Sequence, residues 1–352
     1  MKFLIVAAKT GGHVFPAASI AKELINKDHK VVFLGTGAQI EKNAFKDISS
    51  TSFNLSIEGF RGNSLIKKCK VLSQVLINVF KILRIINKEK IDGMVGFGGF
   101  ITVPAGLAFW IKGKPIFLHE QNAVLGTANK LLSKFAKINF LGFPIKGIKK
   151  SILSGNPIRD SFSVIKSVNN NNNEGLTKIY ITGGSQGAEY INKELPSMFK
   201  DLPYNIKIRH QCGQNNIEMV KNEYLSNNIN AEVNDFYESP EEQISWSDFV
   251  ISRGGALTLS EITSVNRGVL IIPLPTSIDN HQIANAKIIE KMKMGMVHYQ
   301  NESIENLKQK ISSIIENKTF RNWKKINNQT NLNATSTIVA HIEGYFKINE
   351  TV

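Results

Sequence analysis

Lys2-Phe3-Leu4-Ile5-Val6-Ala7-Ala8-Lys9-Thr10-Gly11-Gly12-His13 opens the chain with a short apolar run that breaks into a glycine turn. Beyond it Ala17, Ala18, Ile20, Ala21, Leu24 and Ile25 recur at helical spacing. About half a chain later the arrangement returns: Lys178-Ile179-Tyr180-Ile181-Thr182 runs into Gly183-Gly184-Ser185-Gln186-Gly187 and then a helical segment over residues 188–195. A strand, a tight glycine turn and a helix N-terminus line a crevice with backbone N–H groups and the positive end of a helix dipole. Such a crevice suits a phosphate or a developing oxyanion. Two of them predict an α/β chain of two Rossmann-like domains, each with a parallel sheet, facing each other across a cleft.

Apolar strands alternate with helix-length segments in both halves. They are Val31-Val32-Phe33-Leu34, Met94-Val95-Gly96 and Pro115-Ile116-Phe117-Leu118, then Ile206-Lys207-Ile208-Arg209, Phe249-Val250-Ile251 and Val269-Leu270-Ile271-Ile272-Pro273. That rhythm means βαβ units. Ser167-Val168 and the asparagines 169–173 carry no periodicity and read as a linker. A length of 352 residues with 42% hydrophobic content supports two buried cores and excludes a disordered protein. Cys69 and Cys212 lie far apart without CxxC spacing, which points to a reducing compartment and away from a disulfide or zinc framework. The opening apolar run is too short for a signal peptide and reads as the first strand. Residues 93–111 are uncharged, but five glycines and Pro104 divide them into a strand, the loop Phe97-Gly98-Gly99-Phe100 and a short helix rather than a membrane span.

The formal charge of +14 is distributed unevenly. Residues 1–162 hold 24 Lys and Arg against 9 Asp and Glu, a net charge of +15, while the remainder is at −1. Nucleic acid, an anionic membrane surface and a phosphorylated substrate are each compatible with a basic half. Residues 65–90 join an apolar stripe (Leu72, Val75, Leu76, Val79, Phe80, Leu83, Ile86) to Lys67, Lys68, Lys70, Lys81, Arg84, Lys88 and Lys90. The stripe reads as a helix face packed on the sheet, and Leu65, Ile66, Ile77, Ile82 and Ile85 as apolar surface left over for a bilayer interface. A nucleic-acid groove would interleave its basic residues with exposed aromatics, whereas these lysines flank an aliphatic helix.

Polar groups gather at the strand ends. His13 stands at the start of the first helix, either as a general base for a hydroxyl or as a histidine bonded to its own loop. His119-Glu120-Gln121-Asn122 follows a strand at the edge where parallel sheets hold ligands. Ser252-Arg253-Gly254-Gly255-Ala256-Leu257-Thr258-Leu259-Ser260-Glu261 repeats the strand, turn and helix start. Glu261 there is either an acceptor for sugar hydroxyls or a solvated helix acid. Asp279-Asn280-His281-Gln282 brings a further polar loop to the same edge. No Asp-x-Asp pair and no P-loop is present, so charge on a diphosphate falls to helix dipoles, backbone N–H groups and a cation such as Arg159, with no metal and no cofactor.

Taken together these motifs resemble the MurG family of UDP-N-acetylglucosamine:lipid I N-acetylglucosaminyltransferases. The resemblance runs through Thr10-Gly11-Gly12-His13-Val14-Phe15-Pro16-Ala17, Gly59-Phe60-Arg61-Gly62, Gly96-Phe97-Gly98-Gly99-Phe100, His119-Glu120-Gln121-Asn122, Gly155-Asn156-Pro157-Ile158-Arg159, Gly183-Gly184-Ser185-Gln186-Gly187-Ala188, His210-Gln211-Cys212-Gly213 and residues 256–261, in order. It implies a GT-B fold. Residues 1–160 would form the acceptor and membrane side, with a helix at about 337–352 packing back on it, and residues 161–336 would form the UDP-GlcNAc-binding domain. It also implies metal-independent, inverting transfer to lipid I at the cytoplasmic face of the bacterial inner membrane, with His13 as base. The implied donor contacts are Thr10, Gly11, Gly12, Asn122, Arg159, Ser185, Tyr237, Ala256, Leu257, Thr258, Leu259, Ser260, Glu261 and Gln282, and Gly98, Gly99 and Phe100 are implied on the acceptor side. The chain departs from the family at Ala7-Ala8-Lys9 and at Asn266-Arg267-Gly268, where glycines and Gly-Val/Leu-Pro are usual, and at Tyr237, where an aliphatic residue is usual. Another GT-B lipid glycosyltransferase and a UDP-sugar 2-epimerase share the expected fold. A NAD-linked enzyme does not fit, because Thr10-Gly11-Gly12-His13 lacks the Gly-x-Gly-x-x-Gly spacing.

Overall fold

The opening apolar run forms β1 (Lys2–Val6), a strand buried on both faces, as continuous apolar strands of parallel sheets are. The computed structural model describes residues 1–56, 65–165 and 175–350, giving backbone alone at 65–70 and 349–350. The Gly59-Phe60-Arg61-Gly62 motif, the 167–173 run and the side chains of Leu65, Ile66, Lys67, Lys68, Cys69 and Lys70 lie outside the described residues. Two compact units result, one running from Met1 to Arg159 and resuming at Thr330, the other spanning Asp160–Gln329.

In the first unit β1 is followed by α1 (Gly11–Asn26), β2 (Lys30–Gly35), α2 (Gln39–Ala44), β3 (Thr51–Asn54), α3 (Leu65–Glu89) and β4 (Gly93–Gly96). Then come α4 (Thr102–Ile111), β5 (Ile116–Glu120), α5 (Thr127–Leu132), β6 (Ile138–Leu141) and β7 (Ser151–Leu153). All seven strands are parallel, in the order β3-β2-β1-β4-β5-β6-β7, with Phe3 in register with Val31 on one side and Gly93 on the other. Alternation along β1 divides the core. Leu4 and Val6 join Val75, Val79, Ile82 and Phe109 on the α3 and α4 face, and Phe3 and Ile5 join Val14, Ala17 and Leu24 of α1 on the other.

The second unit begins at α6 (Ser161–Val164) and continues through β8 (Leu176–Thr182), α7 (Glu189–Met198), β9 (Asn205–Gln211), α8 (Ile217–Ser226), β10 (Ala231–Asn234) and α9 (Pro240–Trp246). β11 (Phe249–Ser252), α10 (Ala256–Ser264), β12 (Gly268–Ile271), α11 (His281–Lys291), β13 (Gly295–Val297), α12 (Ile304–Glu316) and α13 (Thr319–Lys324) complete it. Its six strands are again all parallel, in the order β10-β9-β8-β11-β12-β13. The helix α14 (Ala334–Glu350) belongs to the first unit. Ile338, Val339 and Ile342 enter its core, Phe346 meets Phe3 edge-on at 5.6 Å, and Glu343 bonds Lys27 and His29, each at 3.0 Å.

Two α/β units with parallel sheets are what the paired glycine turns predict, but the reading of α3 needs correction. Its buried seam is Val71, Val75, Val79, Ile82 and Ile86. Leu72, Leu76 and Phe80, assigned to the packing stripe from sequence, are 56%, 54% and 65% exposed, whereas Ile82, assigned to leftover surface, is fully buried. The two stripes lie one residue apart on the helix, so the packing partner rather than the periodicity decides which is covered. Among the described residues no helix is long and apolar enough to cross a membrane.

Two departures from the family pattern fall on left-handed backbone and a third is a buried, hydrogen-bonded side chain. Lys9 and Asn266 stand where glycine is usual, and both adopt left-handed backbone, at φ 68° and 55°. Arg267 is buried, with its guanidinium donating to the carbonyls of Ser245, Val265 and Ser247.

Candidate functional site

β1 and β4 are neighbours whose helices pack on opposite faces of the sheet, so the loops that leave them open a crevice at the strands' C-terminal ends. Thr10 caps α1 in extended backbone. Its carbonyl accepts from the N–H groups of His13 and Val14, and its Oγ1 lies 3.2 Å from His13 Nδ1. The other ring nitrogen faces the β4–α4 loop: a Cβ on Gly98 would stand 3.6 Å from His13 Nε2 and 3.5 Å from Asn129 Nδ2. Gly98 and Gly99 have φ of +87° and +79°, which favours glycine at both. A Cβ on Gly12 or Gly99 would meet no protein atom within 4 Å, so the turn presents an open face, whereas one on Gly11 would press on Phe15. Phe100 packs partly buried against the core. Arg159 lies over the Phe15 ring, 4.6 Å from its centroid.

Two buried carboxylates hold this crevice in shape. Glu120 accepts from the Asn122 N–H at 3.1 Å and Asn122 Nδ2 at 3.2 Å, and from the Gly126 N–H and Asn129 Nδ2, each at 2.9 Å. It thereby fixes Asn122 and the asparagine beside Gly98. His119 is wholly buried and bonds the Gly155 carbonyl and Gln121. Burial pushes its pKa down to about 4, so it is a neutral scaffold group. Glu41 of α2 accepts from the Lys9 N–H at 3.0 Å, the Thr36 N–H at 2.8 Å, Thr36 Oγ1 at 2.7 Å and the Gly37 N–H at 2.8 Å. Burial opposes ionisation of Glu41, but these donors together hold its pKa below the usual carboxylate value. Glu41 ties the β1 and β2 loops together, and no motif in the sequence marks it.

In the second unit β8 and β11 are the neighbouring strands, and their loops open a cavity of about 720 Å³ lined among others by Gly183, Gly184, Tyr190, Glu194, Arg253, Gly255, Thr258, Gln282 and Gln300. Gln282 Oε1 accepts from the Gly254 N–H at 3.1 Å and the Leu274 N–H at 2.9 Å, joining the turn before α10 to the loop after β12. Thr258 and Gln282 are the expected residues that line this cavity. Ser185 is exposed on the turn between Gly184 and Gly187, and Leu257 is partly exposed. Ala256, Leu259, Ser260 and Glu261 are buried within α10, so Glu261 is not a solvated helix acid. Tyr237 turns its hydroxyl to Asn234 and Glu232, and its N–H donates to Gln211 Oε1 at 3.1 Å. Arg253 had no role assigned from sequence. It lines the cavity with Nη1 donating to Gln300 Oε1 at 2.7 Å and the Ile272 carbonyl at 3.0 Å. Its place between a strand end and a helix start was the available signal. Among the described residues no three His, Cys, Asp or Glu side chains are grouped to hold a metal ion.

Comparison with known proteins agrees with this arrangement. Residues 3–140 match the glycosyltransferase family 28 N-terminal domain and residues 178–341 its C-terminal domain. The chain is 34% identical, over 91% of both lengths, to the Neisseria gonorrhoeae (strain NCCP11945) UDP-N-acetylglucosamine--N-acetylmuramyl-(pentapeptide) pyrophosphoryl-undecaprenol N-acetylglucosamine transferase. It is 35% identical, over 85% of its own length and 84% of the other, to the Acinetobacter baumannii (strain ACICU) protein of the same name. The crystal structure of Acinetobacter baumannii MurG superposes with a TM-score of 0.82 at 31% identity, covering 97% of this chain and 99% of that one. A UDP-GlcNAc 2-epimerase from Neisseria meningitidis, at 16% identity and a TM-score of 0.67 over 98% of this chain and 100% of that one, is alike in fold alone.

Proposed function

The chain belongs to the MurG family within glycosyltransferase family 28, and we propose that it transfers N-acetylglucosamine from UDP-N-acetylglucosamine to the muramoyl 4-hydroxyl of N-acetylmuramyl-(pentapeptide) pyrophosphoryl-undecaprenol, lipid I, to give lipid II for peptidoglycan. The observation that carries this reading is 34% identity, over nine-tenths of both chains, with a transferase of that name. The first unit takes the acceptor and the second the nucleotide sugar. The bond from C1 of the donor sugar to the UDP β-phosphate breaks as the acceptor O4 attacks C1 from the opposite face, which inverts the anomeric centre. UDP leaves with the bonding electron pair, and the hydroxyl proton passes to His13. The bond from Thr10 to Nδ1 and the glycine facing Nε2 support His13 in that role. Charge on the departing diphosphate is met without a metal by the N-termini of α7 and α10 and by Arg253, with Arg159 assisting. Glu261 orients the ribose. Thr10, Gly11, Gly12, Asn122, Ser185, residues 256–260 and Gln282 complete the donor contacts, and Gly98, Gly99 and Phe100 face the acceptor. Because the Tyr237 N–H already donates to Gln211, a main-chain contact with the base there uses the carbonyl.

The first unit also supports docking on an anionic bilayer at the cytoplasmic face of the inner membrane. α4 packs against α3 and α5. These helices and the segment after α5 carry exposed Leu72, Leu76, Ile77, Phe80, Trp110, Ile111, Leu131 and Phe135, accompanied by exposed Lys81, Arg84, Lys112, Lys130 and Lys134. Apolar side chains ringed by cations enter the headgroup boundary of anionic lipid. The test of the reaction class is UDP release with and without acceptor. Release that requires lipid I supports the transferase, whereas UDP-N-acetylmannosamine formed with no acceptor present marks an epimerase.

A further inference from the structure

The cavity of the second unit mixes donors and acceptors. Arg253 and Gly255, which precedes the α10 N-terminus, line it together with Tyr190, Lys193 and Glu194 of α7, Tyr190 and Glu194 being four residues apart on that helix. Tyr190 is not isolated. Its hydroxyl lies 3.4 Å from Nε2 of His298, a fully buried histidine just beyond β13, whose Nδ1 faces the Glu302 carboxylate at 3.6 Å. Burial opposes ionisation of Glu302, but Lys310 at 2.6 Å and the Tyr299 N–H at 3.0 Å together hold its pKa below the usual carboxylate value. Lys310 in turn is anchored on the Val297 carbonyl. Burial lowers the pKa of His298, so its ring is neutral and carries a single proton. The Glu302 charge, 3.6 Å from Nδ1 and beyond hydrogen-bond distance, favours the proton on Nδ1 electrostatically and leaves Nε2 as an acceptor. The Tyr190 hydroxyl then donates to Nε2, and its oxygen has only lone pairs to offer a ligand.

We infer that Tyr190 is a specificity-determining residue that accepts a hydrogen bond from a hydroxyl or amide N–H of the sugar in this cavity, and that His298 is the positioning residue that fixes the polarity of its phenol. The inference rests on the cavity being the nucleotide-sugar site proposed above. An oxygen presenting lone pairs, with the Glu194 carboxylate one turn away on α7, is receptive to a sugar donor group. With Arg253 and the helix N-termini meeting the diphosphate, the Tyr190 oxygen and Glu194 are left for the hexose.

The test compares UDP-N-acetylglucosamine with UDP by calorimetry and steady-state kinetics in the unaltered protein, Tyr190→Phe, His298→Leu and the double variant. Tyr190→Phe is expected to weaken UDP-N-acetylglucosamine binding and raise its KM by ~3–10-fold, with UDP affinity changed less than about twofold. His298→Leu, which frees the phenol to rotate, is expected to give a smaller effect of the same kind, and the double variant no more than Tyr190→Phe alone. A fully additive double variant, or equal weakening of UDP and UDP-sugar, overturns the inference. Binding of UDP-sugar that Tyr190→Phe leaves within about twofold also overturns it while the donor reading stands. Failure of the unaltered protein to bind either ligand overturns the donor reading and this inference with it.

Discussion

His13 is the third residue of α1, with Nδ1 bonded to Thr10 and Nε2 facing Gly98. Replacing His13 by Ala is expected to lower kcat by ~10²–10⁴-fold and to leave UDP affinity nearly unchanged, read by steady-state kinetics beside UDP calorimetry. A loss of less than about tenfold removes His13 from the role of base. Gly98→Ala would set a methyl 3.6 Å from Nε2 on backbone of φ +87°. It is expected to cost about 1–2 kcal/mol of stability in urea unfolding and to lower kcat beyond what that loss explains. The buried histidines make a pH prediction. Burial pushes the pKa of His119 down from 6.5 to about 4 and that of His210 from 6.5 to about 3. Because the unfolded chain binds these protons first, their contribution to stability is complete above pH ~6.5 and falls as the pH drops toward the folded values, by about 2 kcal/mol per histidine at pH 5. Urea midpoints that stay constant from pH 7 to pH 5 would contradict this. His13 was legible in the sequence because it ends a strand–turn–helix pattern. Glu41 and Tyr190 were not, since the carboxylate gains its Lys9 bond only when β1 and β2 pair, and the tyrosine its His298 contact only when the sheet brings the segment after β13 beside α7.

At the scale of elements, α3 and α14 carry the clearest consequences. Leu76→Glu with Phe80→Glu replaces two exposed side chains of α3. It is expected to abolish co-sedimentation with anionic vesicles while changing stability by no more than about 0.5 kcal/mol per site. Unchanged sedimentation would show that this face does not dock. On α14, Ile342 is fully buried and packs with Ile338 and Val339 in the same core as Phe3. Ile342→Ala is expected to cost about 2–5 kcal/mol, measured by urea unfolding. The long strands between glycine turns were readable as continuous apolar runs. β3 and β10 were not, because Thr51-Ser52-Phe53-Asn54 and Ala231-Glu232-Val233-Asn234 are short edge strands with little apolar pattern of their own. α3 was readable as a helix, but its two adjacent apolar stripes could be separated only by the sheet that covers one of them.

Over the whole molecule, charge and fold divide the chain in the same way. The net +15 of residues 1–162 falls on the unit that carries the exposed apolar helices, and the rest of the chain is close to neutral. Vesicle binding is therefore expected to weaken as salt rises and the Debye length shortens to ~10 Å at 0.1 M. The doubled strand, glycine turn and helix start was enough to read two parallel-sheet units from the sequence, because each turn falls where neighbouring strands send their helices to opposite faces. The polarity of the second unit's cavity could not be read that way, since its walls come from α7, α10 and the segments after β12 and β13. The decisive measurement is transfer of radiolabelled N-acetylglucosamine from UDP-N-acetylglucosamine to a lipid I analogue, with EDTA present and no added metal. Label is expected in the lipid product, dependent on acceptor and lost in His13→Ala. Absence of transfer while UDP-N-acetylglucosamine still binds would contradict the transferase reading.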